Sequence, residues 1–278
     1  MTEAHSDWPT LPALDAWEDT YTTVHMWTQI VGKIRLGLFP AVNHCWGCTL
    51  YVTSRGLTTM PMPYGAGTFT IDFDFTDHSL RLTTSEGYVR SFALEPMSVA
   101  DFYLRLMASL DSLGIVVKIY GKPVEVAEAI PFRKDTRHAS YDADAVHRIW
   151  RALVATERVF ATFRADFIGK VSPVHFFWGA FDLAVTRFSG RTAPKHPGGI
   201  PNCPDRVMLE AYSHEVSSAG FWPGAGLGEA AFYSYAYPSP AGFDATRVQP
   251  DQAYFHETLR ESFCPMRPSA QRKIRSKR

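Results

Sequence analysis

Cysteine is scarce in this chain. The four present, Cys45, Cys48, Cys203 and Cys264, are too few and too scattered to staple 278 residues, which excludes a disulfide scaffold and points to reduced thiols. Long apolar runs are missing as well: nothing approaches the roughly 20 uninterrupted apolar residues of a membrane helix. The start, Met1-Thr2-Glu3-Ala4-His5, lacks the basic and apolar regions of a signal peptide, so a cytoplasmic location without membrane contact is expected. No Gly-x-Ser-x-Gly, His-Glu-x-x-His or heptad run occurs. The run Trp222-Pro223-Gly224-Ala225-Gly226-Leu227-Gly228 has no strand-to-helix context and no Lys-Ser/Thr, so it reads as a hairpin loop and not as a phosphate cradle. The sequence therefore names no cofactor.

Positive charge is lacking too, once its position is considered. Basic and acidic residues number 28 each, but six basic residues and no acid lie between Arg267 and Arg278. Positions 1 to 266 thus hold 22 basic against 28 acidic groups, net −6. Nucleic-acid backbones require clustered Lys and Arg, so no nucleic-acid partner is expected for the body.

Apolar residues are abundant, at 46%, with 14% aromatic, enough to bury a large core. A pattern also occurs twice. Ile30-Val31-Gly32-Lys33 leads to Trp46-Gly47 and Arg55-Gly56; Phe167-Ile168-Gly169-Lys170 leads to Trp178-Gly179 and Arg187, with Gly190 close behind. Trp and Arg are nine residues apart in both copies. The expectation is an internal duplication, each half a helix ending in Gly-Lys followed by strands.

Periodicity fills in the halves. A helix is predicted from Asp15 to Gly32, another from Ser98, capped through Asp101, to Gly114, and a third from Asp142 to Ile168 with a break near Thr156. Strands are predicted at Cys45 to Ser54, Thr68 to Phe75, Ser79 to Thr84, Tyr88 to Leu94, Val116 to Tyr120, Val174 to Phe188, Val207 to Val216 and Ala230 to Tyr237, with a short helix from Asp251 to Leu259. The predicted fold is α+β, with helix plus antiparallel-sheet units related by a pseudo-two-fold axis. Residues 1–121 form the first unit and 122–261 the second, packed together as one body.

Reactive groups cluster in the second half. In one continuous strand from Val174, alternation puts His175 and Arg187 on one face with an apolar floor between them, and Asp182 on the other. Tyr212 and His214 would share a face, Ser213 and Glu215 the opposite one. The expected site is a pocket between the halves: His175 and His214 as catalytic imidazoles, Arg187 holding a small anionic ligand, Trp178 and Tyr212 as walls, Ser189 and Arg55 as further ligand-binding groups. Two other readings stand beside it. His44 and His175, each just before a Trp, could form a two-histidine metal site between the halves, whereas no metal role is assigned to Cys45 and Cys48, whose Cys-x-x-Cys spacing falls in a strand pattern. Alternatively, Phe221-Trp222-Pro223 could be a protein contact of a non-catalytic scaffold. Each candidate also has a structural reading: Arg187 paired at a sheet rim, His175 capping a backbone group, His214 hydrogen-bonded in place, Asp182 bonded to backbone or helix.

The strings His25-Met26-Trp27-Thr28-Gln29-Ile30-Val31-Gly32-Lys33, Ser172-Pro173-Val174-His175-Phe176-Phe177-Trp178-Gly179, Thr186-Arg187-Phe188-Ser189-Gly190-Arg191 and Ala211-Tyr212-Ser213-His214-Glu215 resemble a bacterial family known as domain of unknown function 5996. The resemblance covers about residues 7 to 261 and implies no activity. Family members favour an aromatic at the position of Cys45 and a non-cysteine at that of Cys48. After Glu261 they continue as Ile-Leu-Pro-Tyr-Glu-Ala-Val-Arg, where this chain has Ser262-Phe263-Cys264-Pro265-Met266-Arg267-Pro268-Ser269. One set of codons for the latter, read from its third base, encodes Ile-Leu-Pro-Tyr-Glu-Ala-Val and the first base of the Arg codon. Residues 262–278 are therefore expected to be a frameshifted, disordered basic tail.

Overall fold

The computed structural model describes residues 8–266. Its centre is α1, Glu18–Leu38, of which almost every residue from Thr20 to Arg35 is buried. A helix buried all round must place its polar side chains against partners. The threonines do this: Thr20 Oγ1 accepts from the Asp142 amide at 3.0 Å, and Thr23 Oγ1 from the Ser140 amide at 3.1 Å, so α1 anchors the connector that leads to the third helix.

Gly32 does not end this helix. It lies in mid-helix with Trp178 packed on it so closely that an added Cβ would enter the indole ring. The glycine serves close approach, at the small cost a mid-helix glycine carries.

Two antiparallel sheets flank this helix. The first contains β1 (Tyr51–Val52), β2 (Gly56–Thr58), β4 (Gly67–Asp74), β5 (Ser79–Thr84) and β6 (Val89–Ala93) in that order, with β3 (Met62–Tyr64) paired to another stretch of β4. Phe69, Ile71 and Phe73 of β4 are buried while Thr70, Asp72 and Asp74 are not, as their alternation predicts. Over this face lies α2, Val99–Asp111. Ser98 caps it by accepting the Asp101 amide at 3.0 Å, and Phe102 stacks on Trp27 of α1 with ring centroids 4.8 Å apart.

The second sheet runs β11 (Tyr254–His256), β12 (Glu261–Pro265), β10 (Ala231–Tyr237), β9 (His214–Trp222), β8 (Asp182–Thr192), β7 (His175–Phe177). The sheets touch where Leu50 and Phe176 exchange both backbone hydrogen bonds, at 3.0 and 2.9 Å. The third helix, α3 (Ala143–Ala165), spans this junction without a break at Thr156. Its Trp150 Nε1 donates to Thr53 O at 3.1 Å, while Phe160 meets Phe232 of the second sheet. One continuous apolar core runs from Leu14 to Ala230.

These observations establish the α+β class with two antiparallel sheets. Several local expectations are corrected. Trp46-Gly47 lies in a 3-10 segment, Asn43–Cys48, and Trp178-Gly179 in the turn between β7 and β8, so the repeated sequence frame falls on different local structures. Cys45 and Cys48 are accordingly not in a strand. Residues 116–120 form no strand, Asp205–Ala211 form a short helix (α4), and the helix expected from Asp251 is instead the strand β11. Of the expected tail, residues 262–265 belong to strand β12, with Phe263 buried, and residues 267–278 lie outside the described residues.

Candidate functional site

The hairpin between β7 and β8 rearranges the expected pocket. Its turn, with Phe181 at a φ of 58°, resets the alternation, so His175 pairs with Ala184 and Phe176 with Leu183. Paired residues share a face. His175 therefore goes with Ala184 and Thr186, whereas Arg187 goes with Leu183 and Val185 on the other face: the two do not share a floor.

Arg187 acts on α3. Its guanidinium lies 3.4 Å from the ring centre of Phe163, and Nη2 donates to the Phe163 carbonyl, one of the last-turn acceptors that a helix leaves without an internal partner. The Nε of Arg187 is buried without a hydrogen-bond partner among the described residues.

His175 is 1% exposed, and neither ring nitrogen has a hydrogen-bond partner among the described residues. Trp46, Tyr51 and Phe177 surround it at centroid separations of 5.7, 5.4 and 5.6 Å. Burial, with Arg35 and Arg164 nearby, lowers its pKa to about 3, so the imidazole is neutral at physiological pH. Arg35, near the end of α1, is 2% exposed. It covers the rings of Phe39 and Tyr51 at 4.0 and 5.8 Å and donates through Nη1 to Thr59 O, with its Nε unpartnered. The Nε of Arg164, near the end of α3, is also buried and has no partner among the described residues. No ion pair among the described residues involves Arg35, Arg164 or Arg187.

Trp46 links this group to a second one. His44 Nε2 accepts from Lys170 Nζ at 2.9 Å, which fixes the proton on Nδ1, 3.3 Å from Ala211 O. Burial, then Lys170, lowers the His44 pKa. The His44 ring lies 5.6 Å from His214 and 5.4 Å from Trp46, and His214 Nδ1 is 3.1 Å from Ser213 Oγ. His44 thus packs with His214, and Trp46 separates it from His175. Among the described residues, no group of three or more His, Cys, Asp or Glu is placed to hold a metal ion.

The remaining candidates have local partners. Trp178 Nε1 donates to Cys48 O at 2.7 Å, and the ring rests on Gly32. Tyr212 is the C-cap of α4 and not a strand residue; its hydroxyl is 2.7 Å from that of Tyr235. Ser189 donates to Glu215 Oε2 at 2.7 Å on an exposed edge. Arg55 is exposed and pairs with Asp74 at 2.5 Å and Asp77 at 2.6 Å. Asp182 accepts from Tyr233, and burial raises its pKa to about 6. His25 is buried, with Nε2 at 3.0 and 2.9 Å from the carbonyls of Trp178 and Gly179. In the expected protein-contact run Phe221 and Pro223 are buried and Trp222 is half-buried.

Sequence reasoning missed Arg35 and Arg164, although a signal was present. Arg35 continues the i, i+4 stripe Trp27, Val31, and Arg164 continues Phe160, each placing a cation where the stripe calls for an apolar side chain.

The family of unknown function 5996 matches residues 8–273, and the chain belongs to that family. No curated protein and no solved structure matches it. Among the described residues, no helix is long and apolar enough to cross a membrane.

Proposed function

We propose that the chain binds a small anion, a phosphate or a short carboxylate, at the junction of the two sheets. The observation that carries this reading is the grouping of Arg35, Arg164 and His175, which presents buried nitrogen atoms that, among the described residues, have no hydrogen-bond partner, and no carboxylate of those residues pairs with either guanidinium. A buried guanidinium without an acid partner, as in Arg35, is costly, and an anion that accepts from it and from the half-buried Arg164 offsets that cost. The neutral His175 can donate from one nitrogen and accept at the other, which suits a protonated phosphate oxygen. Trp46 and Tyr51 close the walls. The rings pack tightly around His175, which sets the ligand's size.

In this reading Arg187 positions α3, and so Arg164, and does not touch the ligand. His214, with His44 and Lys170, lies on the far side of Trp46 and forms the approach. The reciprocal contacts Lys33 over Trp178 at 5.4 Å and Lys170 over Trp46 at 5.3 Å, each joining one copy of the repeated frame to the other, support a duplicated origin of the two halves. The test is thermal unfolding with inorganic phosphate or acetate at constant ionic strength. A saturable rise in Tm that disappears in Arg35→Met supports the proposal. No rise beyond a chloride control defeats it.

A further inference from the structure

A second group of reactive side chains surrounds Lys33, one turn along α1 from Gln29. The Gln29 side-chain amide holds both backbone groups of Val124, donating to its carbonyl at 2.8 Å and accepting from its amide at 2.9 Å. This clamp fixes the next residue, Glu125, with its carboxylate packed against Gly179, where an added Cβ would meet it. Glu125 is held at a φ of 59°, a left-handed conformation unusual for a residue with a Cβ. Its amide donates to Pro201 O at 2.9 Å, and Asn202, also left-handed at 54°, donates to Val126 O at 2.7 Å, binding the loop of Glu125 to that of Cys203. Two strained residues in two loops tied together mark a geometry imposed by the surroundings, as reactive centres show.

Lys33 is 5% exposed, and among the described residues no carboxylate pairs with it. Its Nζ stands 5.4 Å from the ring centres of both Trp178 and Tyr120. Glu125, Cys203 and Cys48 are the titratable groups that act on it. Glu125 and Cys203 are half-buried, so the cluster reaches solvent on their side.

We propose that Lys33 is a nucleophilic amine that condenses with an aldehyde or ketone carrying a flat apolar body, with Glu125 as the proton-transfer group. The Nζ lone pair attacks the carbonyl carbon, and one N–H proton passes through Glu125 to the carbonyl oxygen. That oxygen then leaves as water with the second N–H proton, and a C=N bond remains. Trp178 and Tyr120 provide faces for the ligand's body. The protonation states agree with these roles: burial lowers Lys33 to about 8 against the opposing pull of Cys203 and Glu125, and burial raises Glu125 to about 7. Near neutral pH the pair therefore supplies a minor fraction of free amine, which grows toward pH 8, and a carboxyl group able to exchange its proton.

The test treats the full chain with pyridoxal and cyanoborohydride across the pH range around 8 and maps every lysine by peptide mass spectrometry. The expected result is reductive labelling of Lys33 at least about tenfold faster than of Lys118, Lys122 or Lys195, rising with pH through the Lys33 titration. Lys33→Arg keeps the charge and loses that label. Glu125→Gln slows labelling about tenfold or more without moving it. Label confined to the other lysines in the unaltered protein overturns the proposal, and a Glu125→Gln rate equal to the unaltered one removes Glu125 from it.

Discussion

Two arginine-bearing corners of this molecule deal with charge in opposite ways. At the rim of the first sheet, Arg55 is exposed and pairs with both Asp74 and Asp77. At the junction of the sheets, Arg35 is nearly sealed from water and lies among rings, with another guanidinium and an imidazole nearby and no acid paired to it. The first corner is complete within the chain, and its net worth is small because exposed pairs are screened. In the proposed reading the second is completed by a bound anion. A site is marked here by the partner that a buried cation lacks, and an arginine in the same repeated frame as Arg187 can still be ordinary surface.

The largest effect that would sharpen this contrast is on ligand affinity. Arg35→Met or Arg164→Met should weaken phosphate binding by at least about tenfold, the scale of losing one charge-assisted hydrogen bond, whereas Arg55→Met should leave it unchanged. Isothermal titration of the three variants decides, and equal losses in all three would break the distinction.

Next comes stability without ligand, where the corners should differ in sign. Replacing the buried Arg35 by Met removes an unpaired charge and should stabilise the protein by about 1 kcal/mol. Arg55→Met should destabilise it slightly. Denaturant unfolding measures both, and a loss of stability in Arg35→Met would mean that its bond to Thr59 outweighs its desolvation.

A pH effect follows in size. His175 titrates at about 3 in the folded chain, against an ordinary value near 6.5, because burial, then Arg35 and Arg164, disfavour its charged form. Below pH 6.5 the unfolded chain takes up a proton that the folded chain refuses until about pH 3. The stabilising effect is therefore complete above 6.5 and is lost as pH falls toward 3. Relative to His175→Phe, the unaltered protein should lose up to about 1.4 kcal/mol per pH unit across that window. The difference between the two is the quantity to follow, because Glu125 and Glu261, both raised to about 7 chiefly by burial, shift stability the opposite way. A flat difference would place water or a counter-charge at His175.

The smallest effect is expected at the exposed edge. Ser189→Ala should change neither phosphate affinity nor Tm measurably, since its bond to Glu215 is open to solvent. A clear loss of affinity would bring that edge into the site.

Much of the fold was legible from the sequence. The alternation of Phe69, Ile71 and Phe73 marks β4, and Ser98 with Asp101 marks the start of α2, because period and cap are local properties. What failed was non-local. Gly32 reads as a stop until Trp178, far along the chain, is seen resting on it. The face shared by His175 and Arg187 depended on an uninterrupted strand, and the turn at Phe181 reversed it. His175 was legible as a candidate, but its neighbours Arg35 and Arg164 come from two helices whose approach no short-range pattern encodes. Val207 to Val216 shows the opposite error, since α4 takes the part that apolar spacing assigns to a strand.

The isolated exchange of hydrogen bonds between Leu50 and Phe176 works as a pivot pin: it fixes where the two sheets meet, and one such pair does not by itself set the angle between them. Their angle is left to the braces, α1 reaching the β7–β8 turn through His25 and α3 lying across both sheets through Trp150 and Phe160. Arg35 and Arg164 ride near the ends of those same two braces, where leverage is greatest. The two guanidiniums that act on His175 are thus each carried by a different brace.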